Sequence, residues 1–445
     1  DVFKKLEQAG HIYENEIIQL YCNTDKKFLP DRYVIGTCPY CKANDQYSDL
    51  CEKCGRVPEE IENPHCSICG QIPVKEKTKH YFFKLKNFSD KLTKYLESNQ
   101  NLQKDVKKYV QNWIKEGLID WDITRDISWG VPIPVDGEKE KVFYGWFDNH
   151  LAYISSTIKF LNDNGKDGKK FWNEADIYHF IGKDIVYHHF LFLPAMRLGI
   201  DEEYKLPDYI PTRGHLTLES KKISKSRNWY IGLKDFLEIF PSDYLRFYLV
   251  SINPYSQDDL NFNWDEFATK INSELIGNLG NLVNRVLGFT VKSFNSIVPD
   301  PEKFDDMDKE SEKMIHELAS QLSVLMEENH LDRALKKILQ FSAHFNQYFQ
   351  HKEPWKNGAG TNSCVFLAVN AVRSLAIAIY PFLPESSQKI WAQLGLDGNV
   401  STEMFDEISR ITLKQGHKLG QVSPLFEKVE ESVIEEQKSK LRGTS

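Results

Sequence analysis

The second half of the chain repeats apolar residues every three or four positions, which is the spacing of one helix face. This pattern predicts helices at 268–291, 310–328, 331–349, 365–380 and 384–394. Pro354, Pro381 and Pro384 separate these segments. The acidic segment 427–440 that follows predicts a solvated helix or a tail. Successive amphipathic helices bury their apolar faces against one another, so we predict an α-helical bundle here.

The first half mixes short apolar runs with helical periodicity. Helical spacing covers 88–96 and 106–118, whereas the runs 142–153 and 177–186 resemble buried strands that lead into helices. Strands that alternate with helices are typical of α/β folds. Residues 1–80 are rich in Cys, Pro, Asn and Asp and instead indicate a small, loop-rich unit tied by metal.

The composition limits the classes of protein to which the chain can belong. With 445 residues and 41% hydrophobic content, the chain is globular and large enough for several domains. The formal net charge of -8 argues against a general polyanion binder, so any nucleic acid must be bound by local basic patches. No run of 18 apolar residues and no secretory signal is visible, and we expect a cytoplasmic protein without a membrane partner.

The spacing of the cysteines predicts a metal-binding site. Cys38 and Cys41 form one C-x-x-C pair, and Cys51 and Cys54 form a second. Four thiolates are the tetrahedral set that Zn²⁺ prefers in a closed structural site, and such a site has no open position for catalysis. The alternative is four reduced cysteines in a loop with few core residues, which would fold poorly without metal.

A second predicted metal site has only three thiols. Cys66 and Cys69 form the third pair, and Cys22 with Asp25 has the same spacing. Zinc accepts a carboxylate oxygen, so three thiolates and Asp25 would complete a tetrahedral set. The alternative is a degenerate site that has lost one thiol and binds no metal.

A lysine loop carries the clearest catalytic signal. Lys222-Ile223-Ser224-Lys225-Ser226 places two lysines around a serine pair. An ammonium on a flexible stem can follow a phosphate whose charge changes during a reaction, so the loop suits a triphosphate and then departing pyrophosphate. Taken alone, the stretch is equally consistent with an exposed basic turn.

Together with its neighbours, the loop resembles the methionyl-tRNA synthetases, a class I aminoacyl-tRNA synthetase family, over essentially the whole chain. The matching pieces occur in the family order: Phe28–Tyr33, Trp121–Asp126, Tyr178–Asp184, the loop 222–226, Asn281 with Arg285, and Pro354 with Trp355. The resemblance implies an α/β plus all-α chain. Its catalytic part would be the second half of a Rossmann-like domain with a zinc-knuckle insertion, and an α-helical anticodon-binding bundle would follow.

The implied activity is that of a methionine-tRNA ligase. ATP, with Mg²⁺, would activate methionine to methionyl adenylate, and the methionyl group would pass to the 3′ end of methionine tRNA. The implied catalytic residues are Lys222 and Lys225. The implied ATP-binding residues are Gly182, Asp184, Ser224, Lys225 and Arg125.

Each implied ATP contact has a plain alternative. Glycine allows close approach of the backbone to a ligand, and a carboxylate after a strand can accept from ribose hydroxyls, but Gly182 and Asp184 could also form an ordinary turn. Arg125 could reach the phosphates or pair with Asp122 or Asp126.

The implied methionine pocket is aromatic, as a polarizable thioether requires. Its residues are Trp146, Tyr153, Ile185, His189 and Phe192. Tyr153 and His189 could supply a polar contact to sulfur, although an aromatic stripe of this kind is more often plain core. The chain departs from the family at Asn149-His150 and at His188, which puts the detailed shape of the pocket in question.

An anticodon reader is implied in the helical half. Asn281 and Arg285 are four residues apart and share a helix face, and Trp355 follows Pro354 at a helix boundary. An indole stacks on an unpaired base while amide and guanidinium groups bond base edges. Alone, Trp355 would be core in most proteins. Class I synthetases for leucine, isoleucine, valine or cysteine lack this set.

The H-I-G-H-like first signature of the family is not in the sequence, since Gly10-His11-Ile12-Tyr13 only superficially echoes it. We therefore expect a separate N-terminal catalytic segment, and a monomer by default. The alternative is a non-catalytic tRNA-binding fragment or subunit that needs a second chain. The expected domains are the zinc-knuckle insertion 1–143, the second Rossmann-like half 144–214, the signature-loop and stem-contact region 215–275, the bundle 276–430 and a C-terminal tail 431–445.

Overall fold

The computed structural model describes residues 1–48, 51, 53, 58, 60–138, 141–200, 204–225 and 228–442. The chain forms two compact units, Asp1–Thr212 and Arg213–Ser445. Each unit has its own large hydrophobic core.

A long antiparallel ribbon organises the first unit. After helix α1 (Val2–Gln8), strand β1 (Ile12–Cys22) pairs with β6 (Val74–Phe83) over ten residues, from Ile12 opposite Phe83 to Tyr21 opposite Val74. The short strands β2 (Lys27–Phe28) and β7 (Trp121–Asp122) complete the sheet in the order β2-β1-β6-β7. Because side chains alternate along a strand, His80 and Thr78 of β6 are buried while Lys77 and Lys79 face outward.

The cysteine-rich insertion lies between β2 and β6. It contains a small sheet in the order β4-β3-β5, formed by β3 (Val34–Thr37), β4 (Gln46–Tyr47) and β5 (Glu62–Cys66). Its core is only Cys22, Leu29, Val34, Ile61 and Cys66 with a few partly buried neighbours. So little apolar burial is typical of modules that need a metal.

Helices cover the rest of the first unit. They are α2 (Ser89–Ser98), α3 (Lys104–Glu116), α4 (Gly145–Asp163), α5 (Gly168–Glu174) and α6 (Leu193–Leu198). The predictions at 88–96 and 106–118 correspond to α2 and α3 and are confirmed. A π-helical turn, His188–Phe192, leads into α6.

The strands predicted at 142–153 and 177–186 are much shorter than expected. They are β9 (Val142–Phe143), which pairs with β8 (Thr124–Arg125), and β10 (Ile181–Gly182). The N–H of Ile181 donates to Pro211 O at 3.0 Å, beside β11 (Thr212–Arg213), and Tyr178 forms a parallel bridge with Tyr209. Most of each apolar run belongs to a helix or a turn, because buried helices and buried strands give similar apolar runs.

The second unit begins with a small sheet. Strand β12 (Leu216–Leu218) pairs antiparallel with β13 (Lys221–Lys222) and parallel with β14 (Leu260–Phe262). Helices α7 (Leu233–Ile239) and α8 (Ser242–Ser251) lie between these strands in sequence, and α9 (Trp264–Lys270) follows them. The side chain of Asn263 caps α9 by accepting from Glu266 N at 2.9 Å.

The predicted bundle is confirmed. A π-helical stretch, Ile271–Gly280, continues α9 into α10. The bundle helices are α10 (Asn281–Phe294), α11 (Asp306–Glu327), α12 (Leu331–Lys352), α13 (Thr361–Ile379) and α14 (Pro384–Gln393). Helix α11 starts at a capping box, in which Asp305 and Asp308 each accept from the backbone N–H of the other.

Helix α13 is long and apolar enough to cross a membrane, judged by length and composition alone. However, 89% of its apolar 18-residue stretch is buried inside the protein. That burial is typical of the central helix of a bundle. The last helix, α15 (Glu431–Arg442), corresponds to the segment predicted as a solvated helix or tail. Most of this helix is exposed, as a solvated helix would be, but Ile434 and Leu441 are buried in the core of the second unit.

Candidate functional site

Three tight turns with one geometry present the cysteine ligands. In each, the fourth residue after the leading cysteine is left-handed: Lys26 (φ 51°), Lys42 (φ 57°) and Gly70 (φ 73°). Cys38 N donates to Ala43 O and Cys66 N donates to Gln71 O, both at 2.9 Å. Asp25 therefore takes the place, after Cys22, that a second cysteine has in the other two turns.

The cluster of Cys22, Asp25, Cys66 and Cys69 is assembled as a ligand set. Its four ligand atoms lie within 4.8 Å of one another. Cys22 and Cys66 donate to Asp25 at 3.2 and 3.1 Å, and the Cys22 and Cys69 sulfurs are 3.4 Å apart. The hydrogen bond to Asp25 is the main cause that raises the pKa of Cys69 to about 12. A cation at the centre would reverse that effect, so this donor set fits a metal ion.

The other cluster comprises Cys38, Cys41 and Cys51, whose ligand atoms also lie within 4.8 Å of one another. The predicted fourth ligand, Cys54, lies outside the described residues. Burial opposes ionisation of Cys38, but the backbone N–H groups of Cys41 and Tyr40 outweigh it and lower its pKa to about 7. A thiol that ionises near neutrality is ready to coordinate metal, so both clusters could hold an ion.

The rim residue Arg125 is firmly held. Its NH1 lies 3.3 Å from the Asp122 carboxylate and donates to Thr124 O at 2.7 Å, and its guanidinium lies 3.8 Å from the ring centre of Tyr144. The ion pair that was the plain alternative for Arg125 is therefore present. Whether the same guanidinium also meets phosphate stays a prediction.

A hydrogen-bonded pair lies within the predicted methionine pocket. The Nδ1 of His189 lies 3.0 Å from Ile185 O, which can only accept, so Nδ1 carries the proton. Burial lowers the pKa of His189 and keeps the ring neutral. Its Nε2 therefore accepts from the Tyr153 hydroxyl, at 3.2 Å. His189 thus has no free donor for a thioether.

Sequence reasoning assigned no role to His150 and His188, which it noted only as departures from the family, yet their rings pack against the predicted pocket residues Trp146 and His189. Trp146 lies 4.2 Å from the His188 ring and 5.5 Å from the His150 ring, and His150 lies 5.0 Å from His189, between ring centres. Neither ring nitrogen of His150 or His188 has a hydrogen-bond partner among the described residues. These imidazoles, rather than His189, offer unsatisfied polar atoms inside an aromatic pocket.

The pocket histidines are neutral. Burial, with smaller contributions from the neighbouring imidazoles, lowers the pKa of His150 to about 2. Burial also lowers the pKa of His179 to about 3 and that of His188 to about 4. A pocket of neutral rings is suited to an uncharged side chain.

Among the other predicted pocket residues, Phe192 belongs to the hydrophobic core of the first unit. Phe192 is fully buried, and its ring centre lies 3.8 Å from that of Trp121, so its side chain is packed within the protein and is not exposed.

The predicted ATP-binding residues Gly182 and Asp184 lie close together. Gly182 ends β10, and the exposed Asp184 follows in a turn of 3₁₀ helix, Lys183–Ile185. The structure therefore brings Asp184, Ile185 and His189 onto consecutive turns of one segment.

The lysine loop is a tight hairpin in the second unit. Ser224 and Trp229 exchange backbone hydrogen bonds of 2.9 and 2.8 Å, and the Trp229 indole donates to Leu218 O at 3.0 Å. Lys222 and Lys225 are exposed and have no ion-pair partner among the described residues, while Ser226 lies outside them. The sequence analysis did not identify Trp229, whose backbone and indole hydrogen bonds hold the base of the loop in place.

The predicted anticodon residues share one surface of the second unit. Asn281 donates to Asn346 at 2.9 Å, and Arg285 donates to Gln350 at 2.8 Å and lies over the Phe349 ring. Phe349 also contacts the Trp355 ring, which is 43% exposed. Left-handed Glu353 and Asn357 flank the turn that carries Trp355. We call this set the helical patch: Asn281, Arg285, Phe349 and Trp355.

Comparison with known proteins agrees with these features. The family model described as tRNA synthetases class I (M) matches residues 1–287, and the anticodon binding domain of methionyl tRNA ligase matches residues 298–445. The chain belongs to the class I methionyl-tRNA synthetases. Its fold is accordingly a class I synthetase catalytic fold followed by a helical anticodon-binding domain.

Relatives within the family match almost all of the chain. The methionine–tRNA ligase of Methanopyrus kandleri is 41% identical over 99% of this chain and 66% of its own length. That of Pyrococcus horikoshii is 40% identical over 97% of this chain and 62% of its own length. This chain thus spans slightly less than two thirds of the length of these synthetases.

A solved structure has the same fold. Mycobacterium tuberculosis methionyl-tRNA synthetase, in complex with methionyl-adenylate, superimposes with a TM-score of 0.77 at 24% identity, covering 96% of this chain and 79% of the other. Along the present chain, the helical patch is divided between the two family matches, since Asn281 and Arg285 precede residue 287 and Trp355 follows residue 298.

Proposed function

We propose that this chain contributes to a methionine-tRNA ligase that activates methionine with ATP and transfers it to tRNA. The observation that carries the proposal is identity of about two residues in five, over nearly the whole chain, to proteins named methionine–tRNA ligase. The neutral aromatic pocket, the exposed lysine hairpin and the helical patch are each suited to one substrate of that reaction.

In the proposed first step, the methionine carboxylate attacks the ATP α-phosphate and pyrophosphate leaves. Catalysis is mainly positioning and charge stabilisation. Lys222 and Lys225 project from a hairpin whose base is fixed by Trp229, so they can follow the pyrophosphate as it departs. Asp184 accepts from the ribose hydroxyls, beside Gly182. Mg²⁺ bound to the triphosphate neutralises part of its charge.

The pocket supplies the selectivity for methionine. The rings of Trp146, His150 and His188 pack against one another and would offer an uncharged aromatic surface to the methionine side chain, and a neutral imidazole N–H is a weak donor for a thioether. In the second step, the terminal ribose hydroxyl of tRNA takes the methionyl group. The helical patch would meanwhile stack an anticodon base on Trp355 and bond base edges through Asn281 and Arg285.

We also propose Zn²⁺ for the two cysteine clusters, in a structural role. Thiolate-rich sets with one carboxylate are ligands that zinc prefers. Metal analysis should find two Zn²⁺ per chain, and Cys66→Ser should remove one of them. A metal content that Cys66→Ser leaves unchanged would contradict the second site.

A second candidate function is tRNA binding without catalysis. It is favoured by the match of residues 298–445 to the anticodon binding domain of methionyl tRNA ligase and by the exposed Trp355 ring of the helical patch.

Methionine-dependent exchange of pyrophosphate into ATP separates the two functions. Exchange by this chain, abolished by Lys225→Ala and retained by the control Lys234→Ala on exposed α7, would establish ligase chemistry. Absence of exchange, with tight binding of a CAU-anticodon stem-loop, would favour the binding function. Trp355→Ala should weaken that binding by about 5-fold to 150-fold, since stacking on one base contributes about 1–3 kcal/mol. Trp129→Ala, at an 86% exposed tryptophan of the first unit, is the matched control.

A further inference from the structure

A cavity of about 470 Å³ in the second unit has no role in the proposed reaction. Its walls come mainly from α7, from α15, from Trp264 at the start of α9, and from residues 230–232, which follow the lysine loop. An ion pair between Lys438 of α15 and Asp265 of α9 links two of these walls. Small-molecule sites typically have volumes of about 300–1,000 Å³, so the cavity is large enough for a small organic ligand.

Two buried hydrogen-bond donors line this cavity without an acceptor. Trp264 is 2% exposed and Gln437 is 9% exposed. Neither the indole Nε1 of Trp264 nor the amide Nε2 of Gln437 has a hydrogen-bond partner among the described residues. The Oε1 of Gln437 accepts from Lys440 Nζ at 3.3 Å, which orients the amide and leaves its NH2 group as the unsatisfied end. A buried donor without an acceptor is costly, so both groups favour a ligand that offers oxygen.

The charged residues of the lining are mostly acidic. Glu436 pairs at 3.0 Å with Lys440, the one basic side chain among the described lining residues. Asp235 and Glu238 of α7 are exposed, and neither carboxylate has an ion pair or a hydrogen bond within the part of the chain that the structure describes. Two such carboxylates beside one cavity attract a cation and repel a phosphate or a free carboxylate.

We propose that this cavity binds a small organic cation that carries a carbonyl oxygen. The carbonyl oxygen accepts from the buried donors Trp264 and Gln437, and the cationic group faces the carboxylates of Asp235 and Glu238. The inference does not depend on the proposed reaction, since neither donor is assigned to a substrate. Apolar side chains of the lining contact the hydrocarbon part of the ligand: Ile231, Phe236 and Ile239.

Three matched molecules test the two required groups separately. Piperidine-3-carboxamide has a carbonyl oxygen, a secondary ammonium group and an apolar ring, and a Kd of about 1 mM is expected for a molecule of this size. Piperidine lacks the carbonyl and should bind at least about fivefold more weakly, because both buried donors stay unsatisfied. Cyclohexanecarboxamide lacks the charge and should bind about twofold to fivefold more weakly, because the carboxylates are exposed to solvent.

Binding is measured on the full chain from the ¹H–¹⁵N resonances of the tryptophan indoles. The Trp264 resonance, assigned by its loss in Trp264→Phe, should shift in a saturable way with piperidine-3-carboxamide. If Trp264→Phe does not fold, saturation-transfer spectra of the ligand report binding to the wild type and to the other variants without this assignment.

Two substitutions connect the binding to the cavity. Gln437→Leu keeps the size of the side chain and removes its donor, so piperidine-3-carboxamide should bind about 2-fold to 12-fold more weakly. Glu238→Gln removes one charge, so it should weaken binding of piperidine-3-carboxamide by up to about fivefold and leave cyclohexanecarboxamide unchanged. Glu310→Gln, at an exposed glutamate of α11, should change neither molecule.

Three results would overturn the proposal. The first is no binding of piperidine-3-carboxamide at about twenty times the expected Kd. The second is equal binding of all three molecules, which would make the cavity an unselective apolar space. The third is binding that Gln437→Leu leaves unchanged, since the ligand would then lie elsewhere on the protein.

Discussion

His80 and His150 are buried to the same degree in the first unit, with exposed fractions of 0% and 1%, yet they lie in opposite protonation states. His80 has a carboxylate at each ring nitrogen and its pKa is raised. His150 has no hydrogen-bond partner at either nitrogen among the described residues, and its pKa falls to about 2.

The difference shows that partners, and not burial, decide what a buried imidazole does. Burial alone disfavours the charged form and produces the neutral pocket of His150, His179 and His188. Two carboxylates reverse the outcome around His80. The same residue type therefore belongs to a charged network around His80 and to a neutral aromatic cluster around His150.

Acid should destabilise the first unit strongly, because the pocket histidines resist protonation. Their folded pKa values of about 2, 3 and 4 lie below the ordinary value of 6.5. Stability is therefore complete above pH 6.5 and is lost as the pH falls, since only the unfolded chain takes up protons. At about 1.4 kcal/mol per histidine per pH unit, the free energy of unfolding should fall by about 4–6 kcal/mol between pH 6.5 and 5.

Urea unfolding read by peptide-resolved hydrogen exchange measures this loss in the first unit alone. Metal release by protonated thiols is controlled by comparing samples with and without a chelator at each pH. A first unit equally stable at pH 7 and pH 5 would mean that the pocket imidazoles are partnered and that His80 is not exceptional.

Asp126→Asn tests the charged network that contains His80 and Lys141. The substitution leaves Lys141 and His80 buried without one counter-charge, and loss of one partner of a buried pair costs about 3–5 kcal/mol. The pKa of Asp126 falls to about 2 because hydrogen bonds from His80, Lys141 and Thr78 outweigh burial, so this stabilisation is complete at neutral pH. Asp163→Asn, at an exposed pair with Lys159, should cost less than about 1 kcal/mol. Equal losses in the two variants would contradict a buried charge network.

Local patterns in the sequence were enough for the helices and the ligand sets. The apolar period placed a helix at 331–349, and α12 is Leu331–Lys352. The spacing of Cys22, Asp25, Cys66 and Cys69 predicted one cluster, which the turns after Cys22 and after Cys66 bring together. Both signals depend on short-range geometry, which a single sequence carries.

The histidine bridge could not be predicted in this way. His80 meets Asp122 and Asp126 from 42 and 46 residues away, and only the pairing of β6 with β7 brings them together. The unpartnered nitrogens of His150 and His188 likewise follow from which side chains are missing around them. Contacts of this kind depend on packing, so the pair of Arg125 with Asp122 could be predicted from neighbouring positions, whereas His80 on the other side of Asp122 could not.

His188→Phe should make the pocket less sensitive to acid. Phenylalanine removes one group that resists protonation, so the variant should gain about 2 kcal/mol over the wild type at pH 5 and little at pH 7. The pKa of His188, lowered to about 4 by burial, sets this window. The measurement is urea unfolding of both proteins at the two pH values. A constant difference between them at both pH values would show that the effect comes from packing and not from titration.

His80 should produce the smallest effect, with the opposite sign. Because its folded pKa is raised, its stabilisation is complete below the ordinary value of 6.5 and is lost as the pH rises through the folded value. The wild type should therefore lose unfolding free energy across the alkaline side of neutrality, while His80→Gln should show no such slope. Urea unfolding between pH 6 and pH 9 measures this, and His351→Gln should follow the wild type. Should His80→Gln keep the alkaline slope, His80 would titrate like His150, and the two regions would no longer differ in charge.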